Sequence, residues 1–544
     1  MICIWAKYAK NISTVHNYSP GVSVLVPLSI ECTARINLDL HAGAAAFNPA
    51  QASATPFSPA PSEKILTATH TVSLDNIAGP VHLAGIGGIG MSALARLLLQ
   101  KGKAVSGSDK QESPITDELK AMGATIFIGH EAHNLKDAGA LIISTAITSG
   151  NPELEEAKRK GIPVWHRSQL LAYLAKDDKL VAITGTHGKT TTSAMVGQVL
   201  LESDFDPSIV VGGIFHHIGS NSRLGQGGYF VAEADESDGT HVTSTPHLSV
   251  ITNIEPDHLE NYPGGLDQIL DVMMRFYENT KAVSVICSDD SGCNKLINRI
   301  KSKSGTANLA RVVTYGLRKR PDQSGQQPDY SYVSLPGFSM KVYRHDQLLG
   351  ELDLKVPGEH NKLNSLAAIA TAIELGGSFA ESKAAITQFR GVDRRFQLLG
   401  EEKGILVVDD YAHHPTEVVA TLKAAREYIR VQREGKGRVV CLFQPHQPAR
   451  LRDLWNEFTQ AFTDCDLALI ADVYIARGGK IEGIDSEKFV QALNHPDKHY
   501  LPGSAAGLPK ALHAYLKPGD LLLTVGAGDI TNVGGELLSL LAKQ

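Results

Sequence analysis

The sequence predicts an α/β protein built from three modules in series, preceded by an N-terminal extension. Three observations predict it. Apolar strand-like runs alternate with helical runs from about residue 81 onward, an order that builds parallel sheets. Those strands end repeatedly in glycine turns or polar clusters, where an open α/β sheet gathers its ligands. The chain has 544 residues, too many for one core, and about 150 residues per domain gives three domains with a segment to spare. The boundaries are expected at 77–177, 178–395 and 396–544. Residues 1–76 are expected to be a disordered extension, because Ala, Pro and Ser dominate from Ala44 to Pro61 with neither strand nor helix period.

The first module opens with the strand Val81-His82-Leu83-Ala84, which runs into Gly85-Ile86-Gly87-Gly88-Ile89-Gly90 and a helix from Met91 to Gln100. Gly85, Gly87 and Gly90 form a literal G-x-G-x-x-G, and the next strand ends at Asp109, where a dinucleotide fold places its ribose ligand. A Rossmann-like nucleotide-phosphate site is the natural reading. Pro152 suits the first turn of a later helix.

The second module opens with the most informative stretch, Val181 to Thr191, a strand that ends in a glycine turn and restarts as a helix. Gly185, Thr186, His187, Gly188, Lys189, Thr190 and Thr191 form the short G-x-x-G-K-[ST] version of a phosphate loop, since Ile183 stands five residues before Gly188. Backbone N–H groups there face an anion, Lys189 reaches the outer phosphates and Thr190 can ligate Mg²⁺. A nucleoside triphosphate is the expected ligand; an ordinary turn with a surface lysine is the competing reading. Two further strands of this module end in Glu233-Ala234-Asp235-Glu236-Ser237-Asp238 and in Glu255-Pro256-Asp257-His258. Glu233 is the expected metal ligand, being nearest its strand end, with His258 as ligand of a second metal. Asn361 and Asn364 follow Val356-Pro357-Gly358 and on spacing alone could simply cap a helix.

The third module follows the polar join Gly391-Val392-Asp393-Arg394-Arg395-Phe396. Its strands end in Asp409-Asp410-Tyr411-Ala412-His413-His414 and in Gln444-Pro445-His446. Adjacent histidines point in different directions and make a poor metal pair, so His413 and His414 suggest substrate contact. The turn Gly526-Ala527-Gly528-Asp529 reads as structural.

Composition narrows the classes further. Hydrophobic residues make up 43% and charged residues 20%, as in globular proteins, and a net charge of −6 with mixed signs offers no basic footprint for nucleic acid. Six cysteines without C-x-x-C spacing suggest neither a disulfide framework nor zinc, and a reducing cytoplasm fits. The apolar piece Gly21 to Ile30 is short and interrupted by Pro27, so no membrane insertion is expected.

Taken together, GIGGIGM, GTHGKTT, EADESD, TNIEPDH, PGEHNKLN, GVDRRFQ, DDYAHHPTE and FQPH resemble, in content and order, the motifs of the Mur ligase family over about residues 80 to 540. The resemblance implies a Rossmann-like UDP-sugar domain, a central P-loop ATPase α/β domain and a C-terminal Rossmann-like α/β domain that closes over ATP and an amino acid. It places Gly85, Gly87, Gly88, Gly90 and Asp109 at the UDP-sugar, in place of the dinucleotide reading. It makes Lys189, His258 and Arg395 catalytic, and Thr190, Glu233 and His258 the Mg²⁺ ligands. Asn361, Asn364, Arg395 and Asp410 join residues 185–191 at ATP, while His413 and Arg450 lie near the sugar carboxylate and the amino acid. UDP-N-acetylmuramate and L-alanine are the implied substrates, in the cytoplasm; monomer and homodimer both stay open.

One departure from the family pattern is Gln447, where some relatives carry arginine; Arg450 or Arg452 then supplies the charge. Two rival classes explain less. A nicotinamide dehydrogenase accounts for the first glycine motif and Asp109 but leaves Lys189, Glu233 and His258 idle. A non-catalytic nucleotide switch accounts for the phosphate loop but not for the polar strand ends of the third module.

Overall fold

The computed structural model describes residues 74–303, 309–320, 326–476 and 479–543. Residues 1–73 of the expected extension lie outside that set. Its last three do not belong to it: Leu74–Asn76 form a 3₁₀ turn, and Leu74 is 2% exposed within the core of the first module. The apolar side chain gains more from that core than the turn loses in chain freedom.

The first sheet has the order β3-β2-β1-β4-β5 and is wholly parallel, with β1 Val81–Ala84, β2 Val105–Asp109, β3 Thr125–Ile128, β4 Ala140–Ile143 and β5 Val164–His166. The order reverses beside β1, so the glycine loop after β1 stands at the switch point where such sheets bind ligands.

The second sheet has ten strands in the order β15-β14-β13-β12-β11-β10-β6-β9-β7-β8. In chain order they are β6 Lys179–Thr184, β7 Ser208–Phe215, β8 Ser220–Arg223, β9 Tyr229–Glu233, β10 Leu248–Ile251, β11 Val283–Cys287, β12 Arg311–Leu317, β13 Tyr330–Ser334, β14 Ser339–Arg344 and β15 Gln347–Asp353. From β13 to β7 the pairing is parallel; β14, β15 and β8 run antiparallel at the edges. β6 is flanked by β9 and β10, so the phosphate loop and the two acidic strand ends emerge side by side.

The third sheet reads β16-β17-β21-β18-β19-β20, parallel except for β16. Its strands are β16 Gln397–Glu402, β17 Ile405–Asp410, β18 Val439–Phe443, β19 Leu467–Ile470, β20 Lys498–Tyr500 and β21 Leu521–Val525. Every residue of β17, β18 and β21 is buried, as expected for strands covered by helices on both faces.

The cores are not divided as the sheets are. One apolar cluster joins Leu83, Leu94 and Leu174 of the first module to Leu180, Phe230 and Phe276 of the second. The third module has two clusters of its own, one on each face of its sheet.

Candidate active site

The phosphate loop is built by its neighbours as much as by its glycines. Gly185 has φ +128°, and a Cβ there would sit 2.3 Å from Thr252 Oγ1; Gly188 has φ +81°. Asn253, just beyond β10, accepts the His187 N–H on Oδ1 at 2.7 Å and the Thr186 N–H on its carbonyl at 3.1 Å. Thr252 Oγ1 and Asn253 Nδ2 both donate to the His187 carbonyl, at 2.6 and 3.0 Å. The helix Lys189–Glu202 then starts with its free N–H groups facing the cleft.

Lys189 Nζ donates to the carbonyls of Gly185 and Thr186 at 2.7 and 3.1 Å and pairs with Glu236 at 2.8 Å. Burial alone would lower its pKa, but Glu236, Asp235 and Glu233 override it and raise it, so Lys189 is a fixed cation. Burial pushes Glu236 up to about 7, against the pull of Lys189. The acids after β9 thus do have partners of their own. Asp235 pairs with Arg167 at 2.5 Å, Glu236 with Lys189, and Asp238 accepts from Thr240 Oγ1 at 2.6 Å. Glu233 is left to meet a hydroxyl: Thr190 Oγ1 donates to its Oε2 at 2.9 Å, and the Gly212 N–H at 3.0 Å. Hydroxyl and carboxylate make the hard oxygen pair that suits Mg²⁺. Gly212 leaves room for it, since a Cβ there would stand 2.5 Å from Glu233 Oε2 and 2.9 Å from Thr190 Oγ1.

His258 lines the same cleft with φ +53°, yet its ring is paired with Asp257 at 3.5 Å and Glu260 at 3.8 Å rather than gathered onto Thr190 and Glu233. Of the expected metal trio, the structure joins two and sets the third on the cleft wall. Thr191 is buried in the first helical turn.

The third module enters this cleft from its join. Arg395 donates to Thr190 Oγ1 at 3.5 Å and lies over the Tyr411 ring, 4.8 Å from its centroid. Asp410 accepts from the N–H groups of Phe396 at 2.7 Å and Ala412 at 2.8 Å, so its carboxylate holds the join. Burial raises it to about 6, against Arg395 and those N–H groups. Arg394 donates to the carbonyls of Gly526 and Gly528 at 2.7 and 3.2 Å, a structural use of that turn. Asn361 donates to the Pro357 carbonyl at 2.7 Å from inside the helix Glu359–Glu374, whose N-cap is Gly358; neither asparagine is the cap. Asn364 Oδ1 is 3.0 Å from where a Gly188 Cβ would be, so it abuts the phosphate loop.

His413 is held by the Tyr411 carbonyl at 3.1 Å and meets His446 edge-on, with ring centroids 5.8 Å apart. Burial drives it down to about 3, so it is a neutral ring. Arg450 crosses to Asp257 at 3.3 Å, while its buried Nε has no hydrogen-bond partner. That Nε–H is a donor held ready for an anionic group.

On the opposite side, Gly85 has φ +74° and the Gly87 N–H donates to Asp109 Oδ2 at 2.8 Å. Asp109 therefore braces the glycine loop. Gly85, Gly87, Gly88 and Gly90 line one cleft of about 1740 Å³ together with Lys189, Glu233, His258, Arg395, Asp410, His413 and Arg450.

His187 sits between two carboxylates from different modules, Glu417 at 3.0 Å from Nδ1 and Glu255 at 3.4 Å from Nε2. Burial would lower its pKa, but Glu417 and Glu255 raise it to about 9. A folded pKa above the usual value of about 6.5 means that this stabilisation is complete below pH ~6.5 and is lost as pH climbs through about 9. Melting temperature is accordingly expected to fall across that window, and Glu417→Gln to flatten the fall; a variant with the unaltered slope would remove His187 as its cause.

Three family models match in order: the Mur ligase family catalytic domain over residues 80–179, the Mur ligase middle domain over 183–372, and the Mur ligase glutamate ligase domain over 394–528. The chain belongs to the Mur ligase family. Among curated Mur ligase family members, the UDP-N-acetylmuramate–L-alanine ligase of Trichlorobacter lovleyi is 42% identical over 468 residues, covering 85% of this chain and 98% of that one. The enzyme of the same name from Myxococcus xanthus is 42% identical over 473 residues, covering 85% and 95%. The crystal structure of the UDP-N-acetylmuramate-alanine ligase of Thermotoga maritima superposes with a TM-score of 0.71 at 30% identity, covering 86% of this chain and 99% of that one. A murein peptide ligase from Psychrobacter arcticus, at 22% identity and TM-score 0.63, shares the fold.

Within this Mur ligase site, Arg167 and Glu417 were given no role by the sequence reading, and Glu236 and Asp257 were read only as members of polar strand ends. Of the first two, Glu417 left a local signal, standing three residues after His414 as the partner in a capping box.

Proposed function

We propose that the chain joins L-alanine to the lactyl carboxylate of UDP-N-acetylmuramate, coupled to cleavage of ATP to ADP and phosphate, in cytoplasmic peptidoglycan precursor synthesis. The observation that carries this reading is the single cleft in which a phosphate-loop lysine faces a glycine loop on one side and Arg450 and His413 on the other. In this reading residues 77–177 hold the UDP-sugar, 178–395 hold ATP and 396–544 close over ATP and alanine.

A carboxylate oxygen of the sugar attacks the γ-phosphorus, the bond to the β-phosphate oxygen breaks, and ADP leaves. The neutral amine of alanine then attacks the acyl carbon, phosphate departs, and the amine loses a proton. Lys189 and Arg395 offset the negative charge that builds between carboxylate and γ-phosphate. Arg450 Nε and the neutral His413 orient the carboxylates of sugar and amino acid, and Asn364 and Asp410 fix the phosphate loop and the join around the nucleotide. Thr190 and Glu233, with His258 for a second ion, would hold Mg²⁺, which would supply positive charge to the triphosphate. Closure of the third module keeps water from the acyl phosphate.

Phosphate release from Mg²⁺-ATP with UDP-N-acetylmuramate and L-alanine, a tripeptide or no amine tests the reading. Turnover requiring both sugar and alanine supports it. Preference for tripeptide moves the chain to a peptide-recycling role, and absence of sugar-dependent turnover overturns it. Gly212→Ala probes the metal cradle separately. Its Cβ displaces the Glu233 carboxylate without backbone strain, so the Mg²⁺ concentration for half-maximal turnover is expected to rise about 10–100-fold with melting temperature little changed. An unchanged Mg²⁺ requirement would take Glu233 out of the metal site.

A further inference from the structure

The strongest unassigned cluster lies where the phosphate loop meets the third module. One ligand atom from each of His187, Glu255 and His414 falls within 4.8 Å of the other two, the one such group of three among the described residues. His187 comes from the loop after β6, Glu255 from the segment after β10, and His414 from the N-cap of the helix Pro415–Gln432. Three chain segments converge there with their hydrogen-bond set incomplete. The Nε2 atoms of His187 and His414 are both buried and both without a hydrogen-bond partner. The two rings face each other with centroids 4.7 Å apart.

We propose that His187, Glu255 and His414 form a binding site for a borderline divalent transition-metal ion of the zinc class, distinct from the oxygen-lined Mg²⁺ cradle at Thr190 and Glu233. The donor set decides the class: two imidazoles and one carboxylate select zinc, cobalt or nickel over magnesium, which prefers oxygen alone. The spacing is compatible. His187 Nε2 stands 3.4 Å from Glu255 Oε2, close to the roughly 3.3 Å that separates two ligands of a tetrahedral ion with bonds of about 2.0 Å. His414 has farther to come, the three ligand atoms lying within 4.8 Å rather than about 3.3 Å of one another.

The outer contacts are those of a metal histidine. Glu417 accepts from His187 Nδ1 at 3.0 Å, which fixes the ring and leaves Nε2 to offer its lone pair once deprotonated. Ligation through His414 Nε2 moves its proton to Nδ1 and gives up the long 3.3 Å cap from Thr416 N–H. Glu417 still accepts the N–H groups of His413 and His414, at 2.9 and 3.2 Å, so the helix start stays anchored. Since Glu255 belongs to the central module and His414 to the third, a bound ion ties the phosphate loop to the helix that closes over it.

Co²⁺ titration of the full chain in nucleotide-free, Mg²⁺-free buffer tests this, with the visible d–d absorption of four- or five-coordinate cobalt as readout and Zn²⁺ displacement as check. One equivalent is expected to bind with such a band and to be displaced by Zn²⁺. His414→Asn keeps a good N-cap but removes the imidazole, and Glu255→Gln removes the carboxylate; each is expected to weaken binding at least about tenfold. Glu233→Gln, which alters only the Mg²⁺ cradle, is expected to leave the band in place. The absence of a band in the unaltered chain overturns the proposal, as does a band that survives in whichever of His414→Asn and Glu255→Gln folds, or one that disappears with Glu233→Gln. None of these readouts depends on turnover, so the result stands apart from the ligase assay.

Discussion

Lys189→Met is expected to lower sugar- and alanine-dependent phosphate release at least about a thousandfold while leaving a folded protein. Methionine keeps the length of the side chain but withdraws the ammonium held inside the phosphate loop. The ammonium now bonds two loop carbonyls and Glu236. When a triphosphate enters, the same charge is available to the β- and γ-oxygens, and Glu236 becomes the group that must give way. Without the lysine, Glu236 is buried beside Asp235 with no cation of its own, and it will take up a proton rather than unfold the site, its pKa already standing near 7. Single-turnover phosphate release and thermal melting, measured together, check both halves. A loss below tenfold would move the reacting phosphate away from Lys189; a collapsed melt would make Glu236 pairing, rather than catalysis, the main role of the lysine.

Gly185→Ala is expected to damage both fold and nucleotide binding. Its φ of +128° costs an alanine about 1–3 kcal/mol in backbone strain. The added Cβ would also stand 2.3 Å from Thr252 Oγ1 and 2.8 Å from the Asn253 carbonyl, an overlap that costs a comparable amount, about 1–3 kcal/mol. Both neighbours brace the His187 peptide, so relief of the clash pulls the loop out of its phosphate-binding shape. Gly219→Ala is the matched comparison, since Gly219 has φ +61° with nothing within 4 Å of the built Cβ. Urea denaturation is expected to show a clearly larger loss for Gly185→Ala, together with at least about a tenfold loss of ATP affinity that Gly219→Ala does not share. Equal losses at the two positions would mean that backbone conformation alone matters, and that the contact with Thr252 and Asn253 does not shape the loop.

What could be read from the chain alone was what the chain writes locally. A phosphate loop is strand, turn and helix within a few residues, so Gly185, Gly188, Lys189 and Thr190 were legible from spacing, as was the G-x-G-x-x-G after β1. The ordered motifs then carried the family. Partners brought together by folding were not legible. Arg450 meets Asp257 from 193 positions away, and Arg167 meets Asp235 from 68. Nothing in periodicity reports such pairs, which is why the partners of the acids after β9 could not be named in advance. The start of the first module was misplaced for the same reason: Leu74 and Ile77 stand in a short mixed stretch without a clear period, and only the core they meet reveals their place. The antiparallel extension β13–β15 was also missed. Its strands bury only part of their residues and carry charged side chains such as Lys341, Arg344 and Glu351, so their alternation is weak.

The shared apolar cluster between the first two sheets has a consequence for how the molecule yields. Because Leu174, Leu180, Phe230 and Phe276 belong to one cluster, neither of those sheets can shed its packing without exposing the other, and they should lose structure in a single cooperative event. The third sheet keeps both of its faces covered by its own side chains. It meets the rest mainly through polar ties, Arg450 to Asp257, Thr416 to Glu255 and His187 to Glu417, with the Tyr428 ring stacked on Phe338 as an apolar contact beside them. The first two sheets therefore hold together as one unit, and the third, with cores of its own, is expected to be the first part to let go on heating.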